Sequence, residues 1–427
     1  MKILPRKNIS SEKDAIPGSG LQPTRVCMHV RGCFRTDARV RREASSLVQE
    51  GFSVTVVDVE HERPATLVEN LDGIYVRHLV KPHWFVSAHF PWRLLKSAEK
   101  FFFCVIALLK VPADIYHAHD VNALLACYAA AKLRRKQLVF DAHELPLYEL
   151  DHSRQSWLRM LLWRFLARIL AGCAGIITVS PPIAQEICAR YAVSNVSVVR
   201  NIPAYQTATQ SNRLHQYLRL NSTIRIALYQ GNLQKDRGLD RLVCAARFLD
   251  PGYVIVLMGK AAGDTQAELD ALIASEGVAD RVKILPAVPH EELLDWTASA
   301  DVGLIIFDPA YSFNIQMCLP NKLFEYLMAG LPVLATPLDA VADLLRIYHA
   351  GQIVSSLAPE KIAEAIHAIL ADSIAYAQLR HSALEAVQKD LSWEKERQKL
   401  ISLYQSISLP ETDLLAKTTV HSHFRSI

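Results

Sequence analysis

The sequence predicts an α/β protein made of two doubly wound domains that face a central cleft. Three observations predict it. Short β-branched runs alternate with helical periodicities through the first half of the chain, a polar stretch without periodicity interrupts them at Ala204–Ser222, and the alternation then begins again. Such alternation implies right-handed βαβ crossovers and mostly parallel sheets. At 427 residues there is chain enough for two or three domains with cores of their own. The expected divisions are a leader at 1–23, an N-terminal domain at 24–205, a linker at 206–222, a C-terminal domain at 223–390, and a terminal helix with a polar tail at 391–427. The two halves share an architecture but no sequence repeat.

In the first half Arg25–Val30, Ser53–Asp58, Asp114–His117, Gln137–Asp141, Gly175–Val179 and Val196–Val199 read as strands. Asp37–Glu50, Trp92–Lys110, Val121–Leu133, Gln155–Ala171 and Pro182–Arg190 read as helices. In the second half the strands are Ile224–Gln230, Tyr253–Met258, Arg281–Leu285, Val302–Phe307, Pro332–Thr336 and Gln352–Val354. The helices between them are Leu239–Phe248, Asp264–Glu276, Glu291–Ala298, Asn321–Ala329, Ala340–Arg346 and Pro359–Ala371. In open α/β sheets ligands sit beyond the carboxyl ends of the strands, so two facing domains make an inter-domain cleft.

Composition excludes several classes. A net charge of +4, with no basic repeat or stacking platform, argues against nucleic-acid binding. The eight cysteines show no CxxC or CxxH spacing, which argues against zinc and a disulfide framework and fits a reducing cytosol. Residues 1–23 have no apolar core and do not read as a signal peptide. The longest apolar run, Phe101–Leu109, is far short of the roughly 20 residues a membrane span needs. Membrane contact is a separate matter. Trp92–Lys110 sets Arg93, Lys96, Lys100 and Lys110 beside Phe101, Phe102, Phe103, Ile106 and Leu109, the make-up of a helix lying on an anionic membrane surface. Gln155–Ala171 places Leu158, Leu162, Phe165 and Ile169 on one stripe, with Arg164 and Arg168 off it, and reads at least as well as a core-facing helix.

The densest chemistry lies at Pro320–Val333. Asn321 is a good N-cap, Gly330 a good C-terminal stop, and Pro332 prevents continuation. Leu323, Phe324, Leu327 and Met328 form the buried stripe of the intervening helix, which puts Lys322 and Glu325 together on another side. A helix N-terminus, a lysine and a carboxylate could meet a diphosphate and vicinal ribose hydroxyls, although an ordinary solvated helix face has the same composition. Gly231 and Gly238 bracket a loop with Lys235 and Arg237, either an anion cradle or a solvated turn.

In the first half, the turn at Gly32 and the helix start at Asp37 follow the first strand. His117-Ala118-His119-Asp120 and Phe140-Asp141-Ala142-His143-Glu144 close two others. Alternation turns His117 and His119 to one face, and His119, the later, is expected to reach the cleft. Polar groups such as His143 and Glu144, just past a buried strand, are costly unless they face a wet cleft. Neither segment has the HExxH spacing, so no metal is expected.

Together these segments resemble the two-Rossmann-domain (GT-B) glycosyltransferases, specifically the retaining family four. Asp37-Ala38-Arg39-Val40 with Glu43-Ala44 and Gly51, the two histidine segments, Thr178-Val179-Ser180 and Asn201-Ile202-Pro203 look like its N-terminal landmarks. The Gly231 loop, Pro320–Tyr326 and Gly330-Leu331-Pro332-Val333 look like its donor half, so the resemblance runs from about residue 25 to 405 in order. It implies a nucleotide-sugar donor and a glycan or lipid-linked acceptor, in envelope or extracellular polysaccharide synthesis. Cysteine usage and the basic apolar helix point to a cytoplasmic protein, peripheral at the inner membrane face, and with no Asp-x-Asp element at a strand end no cofactor and no divalent metal are expected.

By resemblance, Glu325 is the second glutamate of an E-x7-E element and binds the donor ribose. Arg237 contacts the diphosphate, and His119 lines the acceptor side of the reaction centre. Ser312 and Asn314 match a donor-loop pattern. Gly32, Asp37, His143 and Glu144 fall on the acceptor side, and Gly231, Lys235, Asn321 and Lys322 on the donor side. Two positions depart from the pattern. Met317 stands where the first glutamate would be, and Asn232 where an arginine is common, which leaves Lys235 to supply a diphosphate contact. A nucleotide-sugar epimerase on the same architecture and a non-catalytic glycan-binding relative are the alternative readings.

Overall fold

A computed structural model describes residues 22–60, 66–80, 93–147, 156–209 and 211–408. Most of the expected leader and tail, and residues Trp92 and Gln155 of two expected helices, lie outside the described residues. The N-terminal domain contains β1 (Arg25–His29), β2 (Ser53–Glu60), β3 (Val68–Leu71), β4 (Ile74–Val80), β5 (Ile115–His119), β6 (Gln137–Ala142), β7 (Gly175–Thr178) and β8 (Val196–Val198). Its helices are α1 (Ala38–Gln49), α2 (Arg93–Leu109), α3 (Val121–Arg134), α4 (Ser156–Ala171) and α5 (Pro181–Tyr191). The strands form one eight-stranded sheet in the order β3-β4-β2-β1-β5-β6-β7-β8. Only β3 runs antiparallel.

The C-terminal domain starts with α6 (Arg213–Leu218) and holds β9 (Arg225–Gln230), β10 (Tyr253–Met258), β11 (Val282–Leu285), β12 (Val302–Ile305), β13 (Val333–Ala335) and β14 (Gly351–Ile353). These strands form a parallel sheet in the order β11-β10-β9-β12-β13-β14. Around it lie α7 (Leu239–Ala245), α8 (Thr265–Glu276), α9 (Leu293–Thr297), α10 (Phe313–Met317), α11 (Asn321–Met328), α12 (Asp339–Tyr348), α13 (Pro359–Ala371) and α14 (Ser373–Lys389). The central strands are apolar along their length because helices cover both faces: every residue of β5 and all but the first of β9 are buried. Winding reverses between β1 and β5 and between β9 and β12, which opens a crevice at the carboxyl end of each sheet.

A last helix, α15 (Trp393–Ser408), returns to the N-terminal domain. Trp393, Leu400 and Tyr404 join Val26, Met28 and Ile115 in one core, and Trp393 Nε1 donates to Ser46 Oγ at 3.0 Å. Buried Glu396 accepts from Arg200 Nη2 at 2.6 Å, which fixes this helix to the end of β8.

Several elements differ from the sequence expectation. The expected linker contains α6, whose Leu214 is fully buried in the C-terminal core although its neighbours are polar. The hairpin β3–β4 turns at Asp72-Gly73, both at positive φ (51° and 86°), the geometry that an Asp-Gly pair signals. Pro320 occupies the N-cap position of α11 in place of Asn321, whose side chain is used elsewhere. Among the described side chains of α4, Leu166, Ile169 and Leu170 are buried while Leu162 and Phe165 of the expected stripe face solvent; Leu158 of that stripe lies outside the described side chains.

Candidate active site

The loop after β9 can close up on its neighbours only through glycines. A Cβ on Gly259 would meet Gly231 O at 1.8 Å, and one on Gly238, at φ 68°, would meet Ile306 O at 1.8 Å. This tight floor and the first turn of α11 enclose a cavity of about 440 Å³ lined by Gly231, Arg237, Gly259, Asn321, Lys322 and Glu325 among others. Lys322 is buried to 8% exposure, with Nζ 3.4 Å from the centroid of Tyr229. The Arg237 guanidinium lies 4.9 Å from the Phe307 ring centre. Aromatic faces thus hold two cations at the mouth of the cavity.

Across from them, Gln230 Nε2 donates to Glu325 Oε2 at 2.5 Å, and Thr297 Oγ1 donates to Gln230 Oε1 at 2.7 Å. The chain Thr297–Gln230–Glu325 fixes the carboxylate in orientation. Burial pushes the Glu325 carboxyl up, against the opposing effects of Gln230, His290, Lys322 and Arg42. Tyr326, which the helical stripe alone does not mark as core, is fully buried and accepts the Gln230 backbone N–H at 2.9 Å.

A second cavity, about 680 Å³, lies between the domains. Gly32, Asp37, His143 and Glu144 line it from the N-terminal side, and Arg237, Asn314 and Asn321 from the C-terminal side. Arg237 and Asn321 border both cavities. Asp37 caps α1, its Oδ1 accepting from the N–H groups of Arg39 and Val40 at 3.1 Å each.

Beneath the floor of this cavity lies a buried ionic cluster. Arg39 donates to Asp141 through Nε (2.8 Å) and Nη2 (2.7 Å) and to Val199 O through Nη1 (2.9 Å). Asp141 Oδ2 also lies 3.1 Å from His119 Nδ1 and 2.9 Å from His143 Nε2. Burial alone would raise the Asp141 carboxyl, but Arg39 and the two histidines hold it well below the usual range. Burial works against the charged form of His143, yet Asp141 lifts it above the ordinary value.

His119 is therefore not the residue at the cleft. Its ring is 1% exposed, stacked on His117 at 4.2 Å, with Nε2 lacking a hydrogen-bond partner. The strand alternation places both histidines on one face, and that face is interior because α1 and α15 cover it: Glu43 of α1 lies within 4.8 Å of both histidines, and Tyr404 OH lies 2.7 Å from His117 Nδ1. His143, two residues past Asp141, is the histidine that reaches the cavity.

Glu43, His117, His119 and Asp141 present ligand-type atoms within 4.8 Å of one another, the one such group among the described residues. The donor set does not suit a cation, because the Arg39 guanidinium lies against both carboxylates, 3.1 Å from Glu43 and 2.7 Å from Asp141. A positive charge already fills that place, and burial beside Asp141 pushes the Glu43 carboxyl up.

Four expected donor residues are engaged by other protein groups. Lys235 points out of the cavity and pairs with Glu268 at 2.7 Å. Ser312 caps α10, accepting from the Asn314 N–H at 3.2 Å. Asn314 binds the other domain, its Oδ1 accepting from the Leu145 N–H at 3.0 Å and its Nδ2 donating to Glu144 Oε2 at 3.2 Å. Asn321 likewise accepts from Asn201 Nδ2 at 3.0 Å across the cleft. Met317 is 2% exposed and packs into the N-terminal core, while its carbonyl accepts from Ser180 Oγ at 2.7 Å. The segment α10 thus docks on the opposite domain, which no local sequence signal foretells.

Residues 38–202 match the model of Glycosyltransferase Family 4, and residues 210–389 that of Glycosyl transferases group 1. The chain is 27% identical over 191 residues to D-inositol 3-phosphate glycosyltransferase 1 of Catenulispora acidiphila, covering 42% of this chain and 44% of that one. It spans about half the length of the inositol-phosphate relatives it matches, 44% and 47% for two of them. An uncharacterized glycosyltransferase of Methanocaldococcus jannaschii is 22% identical over 85% of this chain and 92% of its own. An amylovoran biosynthesis glycosyltransferase of Erwinia amylovora is 30% identical over 37% of this chain and 36% of its own. Among solved structures, a sucrose-phosphate synthase from Thermosynechococcus elongatus superposes with TM-score 0.70 at 17% identity, over 90% of this chain and 99% of that one. An Anabaena protein crystallised with UDP and glucose gives 0.66 at 15%, over 90% and 100%. These structural likenesses show the fold.

Proposed function

Because the chain belongs to the GT-B glycosyltransferases, with a family-4 half and a group-1 half, we propose that it moves a sugar from a nucleotide-sugar donor to a glycan or lipid-linked acceptor. The observation that carries this reading is the convergence of Glu325, Arg237 and Lys322 on one cavity that shares Arg237 and Asn321 with the inter-domain cavity. Glu325, fixed by Gln230, accepts hydrogen bonds from the donor ribose. Arg237 and Lys322 face the diphosphate, whose negative charge grows as the glycosidic bond breaks. His143, oriented by Asp141, hydrogen-bonds a sugar hydroxyl in the inter-domain cavity. The acceptor attacks from the same face as the departing diphosphate and configuration is retained, so no enzyme nucleophile is assigned. Closure of the domains keeps water from the donor.

The proposed setting is envelope or extracellular polysaccharide synthesis at the cytoplasmic face of a membrane; the relative named for amylovoran biosynthesis supports a biosynthetic role. No helix among the described residues is long and apolar enough to cross a membrane.

The test is thermal stabilisation by a panel of nucleoside diphosphates and nucleotide sugars, followed by incubation of each binder with and without acceptors. A ligand at 100 times its Kd should add about 2.7 kcal/mol of stability. Failure of every nucleoside diphosphate to stabilise the protein would remove the donor site, and conversion of the donor without acceptor would indicate an epimerase. Transfer is also expected to proceed unchanged in EDTA, since Arg237, Lys322 and the first turn of α11 meet the diphosphate charge. Loss of activity on chelation, restored by manganese, would overturn that expectation.

A further inference from the structure

Three helices cover one side of the N-terminal sheet. Cys104 and Leu108 of α2, Leu124 and Cys127 of α3, and Leu166 and Ile169 of α4 all enter a single core cluster. Their opposite sides therefore look outward together, and that outer surface is apolar. Phe102 and Ile106 are 60% and 53% exposed on α2, and Trp157 and Leu161 are 62% and 51% exposed on α4. Met160 and Phe165 extend the patch, and these helices hold nearly half of the exposed large apolar side chains among the described residues. A soluble surface rarely leaves so much apolar area together unless something covers it.

The charge on the same helices is one-sided. Among the described side chains α2 carries Lys96 and Lys100 and α4 carries Arg164 and Arg168, and the only acid in the sequences of α2, α3 and α4 is Glu99. The chain as a whole is nearly balanced, with 47 basic and 43 acidic residues. The asymmetry is thus local to these helices. Exposed phenylalanine and tryptophan on α2 and α4, with lysine and arginine on the same helices and a single acid, complement the headgroup region of an anionic bilayer.

We propose that the outer face of α2, α3 and α4 docks on an anionic lipid surface. In a parallel sheet each helix begins at the carboxyl end of the strand before it, so Leu95 and Trp157, near the starts of α2 and α4, lie at the cleft end of the domain. Docking then sets the mouth of the inter-domain cavity beside the headgroups, where a lipid-linked acceptor enters without leaving its membrane. That last step rests on the glycosyl-transfer reading; the docking itself does not.

The experiment is co-sedimentation of the full chain with vesicles of phosphatidylglycerol and phosphatidylcholine, against phosphatidylcholine alone. Binding is expected to the anionic vesicles at low ionic strength and to fall as salt is added. Replacing Arg164 and Arg168 by Gln should weaken it about thirtyfold, and Trp157→Ser with Met160→Ser should weaken it while leaving the melting temperature at the wild-type value. No binding to anionic vesicles at low salt overturns the proposal, as does equal binding to phosphatidylcholine alone. A concentration-dependent dimer that these variants dissolve, without vesicle binding, would assign the face to a second copy of the chain. None of these readouts needs donor or acceptor, so docking can fail while nucleotide binding stands, and the reverse.

Discussion

Replacing Asp141 by Ala is expected to cost about 3–5 kcal/mol of stability, the usual consequence of removing one partner from a buried ion pair. Asp141 is fully buried and accepts two hydrogen bonds from a guanidinium that is itself 4% exposed. Without it, Arg39 keeps only Val199 O and Glu43, whose carboxyl is already pushed towards its protonated form. Urea denaturation with parallel thermal melts measures the loss. Arg39→Met combined with Asp141→Leu should recover much of it, because a buried pair replaced by apolar groups leaves no stranded charge. A loss within about 0.5 kcal/mol for Asp141→Ala would show that the pair is not what holds the cavity floor.

The same pair gives the pH dependence a sign. The Asp141 carboxyl sits well below its ordinary 3.8, so its contribution is present above that value and is lost as pH falls through the folded one. The His143 imidazole is raised above 6.5, so its contribution is complete below 6.5 and is lost as pH rises through the folded value. Asp141→Asn removes both windows at once, and the His143 titration followed by NMR should move back down.

How far the sequence carries depends on whether a partner is local. The stripe Leu323, Phe324, Leu327 and Met328 is legible because helical period and burial are set within two turns, and all four are buried. The two lysines of the donor half are not distinguished that way. Lys235 turns outward to Glu268, 33 residues on, while Lys322 lies over Tyr229, far behind it in the chain. The histidines show the same limit. Alternation sets His117 and His119 on one face, but α1 and α15 make that face interior, the latter through a contact of His117 with a residue 287 positions away. Asp72-Gly73 is by contrast a local signal, the pair at positive φ that turns β3 into β4. In α4, apolar periodicity suggested a core stripe where Phe165 and Leu162 instead face outward, because the pattern records apolarity and not what covers it.

Replacing Glu325 is expected to lower donor affinity about ten- to a hundredfold, since hydrogen bonds to an ionised acceptor are worth about 1.5–3 kcal/mol. The structure separates two parts of that loss. Gln230 Nε2 donates to Glu325 Oε2, and Thr297 holds the far end of the same amide. Glu325→Gln keeps an acceptor for Gln230 and removes only the charge, whereas Glu325→Ala also leaves the Gln230 amide unsupported, so Ala should bind donor more weakly than Gln. Stability should change by no more than about 1 kcal/mol. Glu325 lies off the buried stripe, and its burial disfavours the charge that either variant removes. Because that carboxyl is raised, wild-type donor affinity should itself fall as pH drops through its titration, and the Gln variant should lose this dependence. Calorimetric titration of the donor into wild type and both variants measures each term. Wild-type affinity in Glu325→Ala would reduce this carboxylate to a support for Gln230 and take the ribose contact out of the proposed donor site.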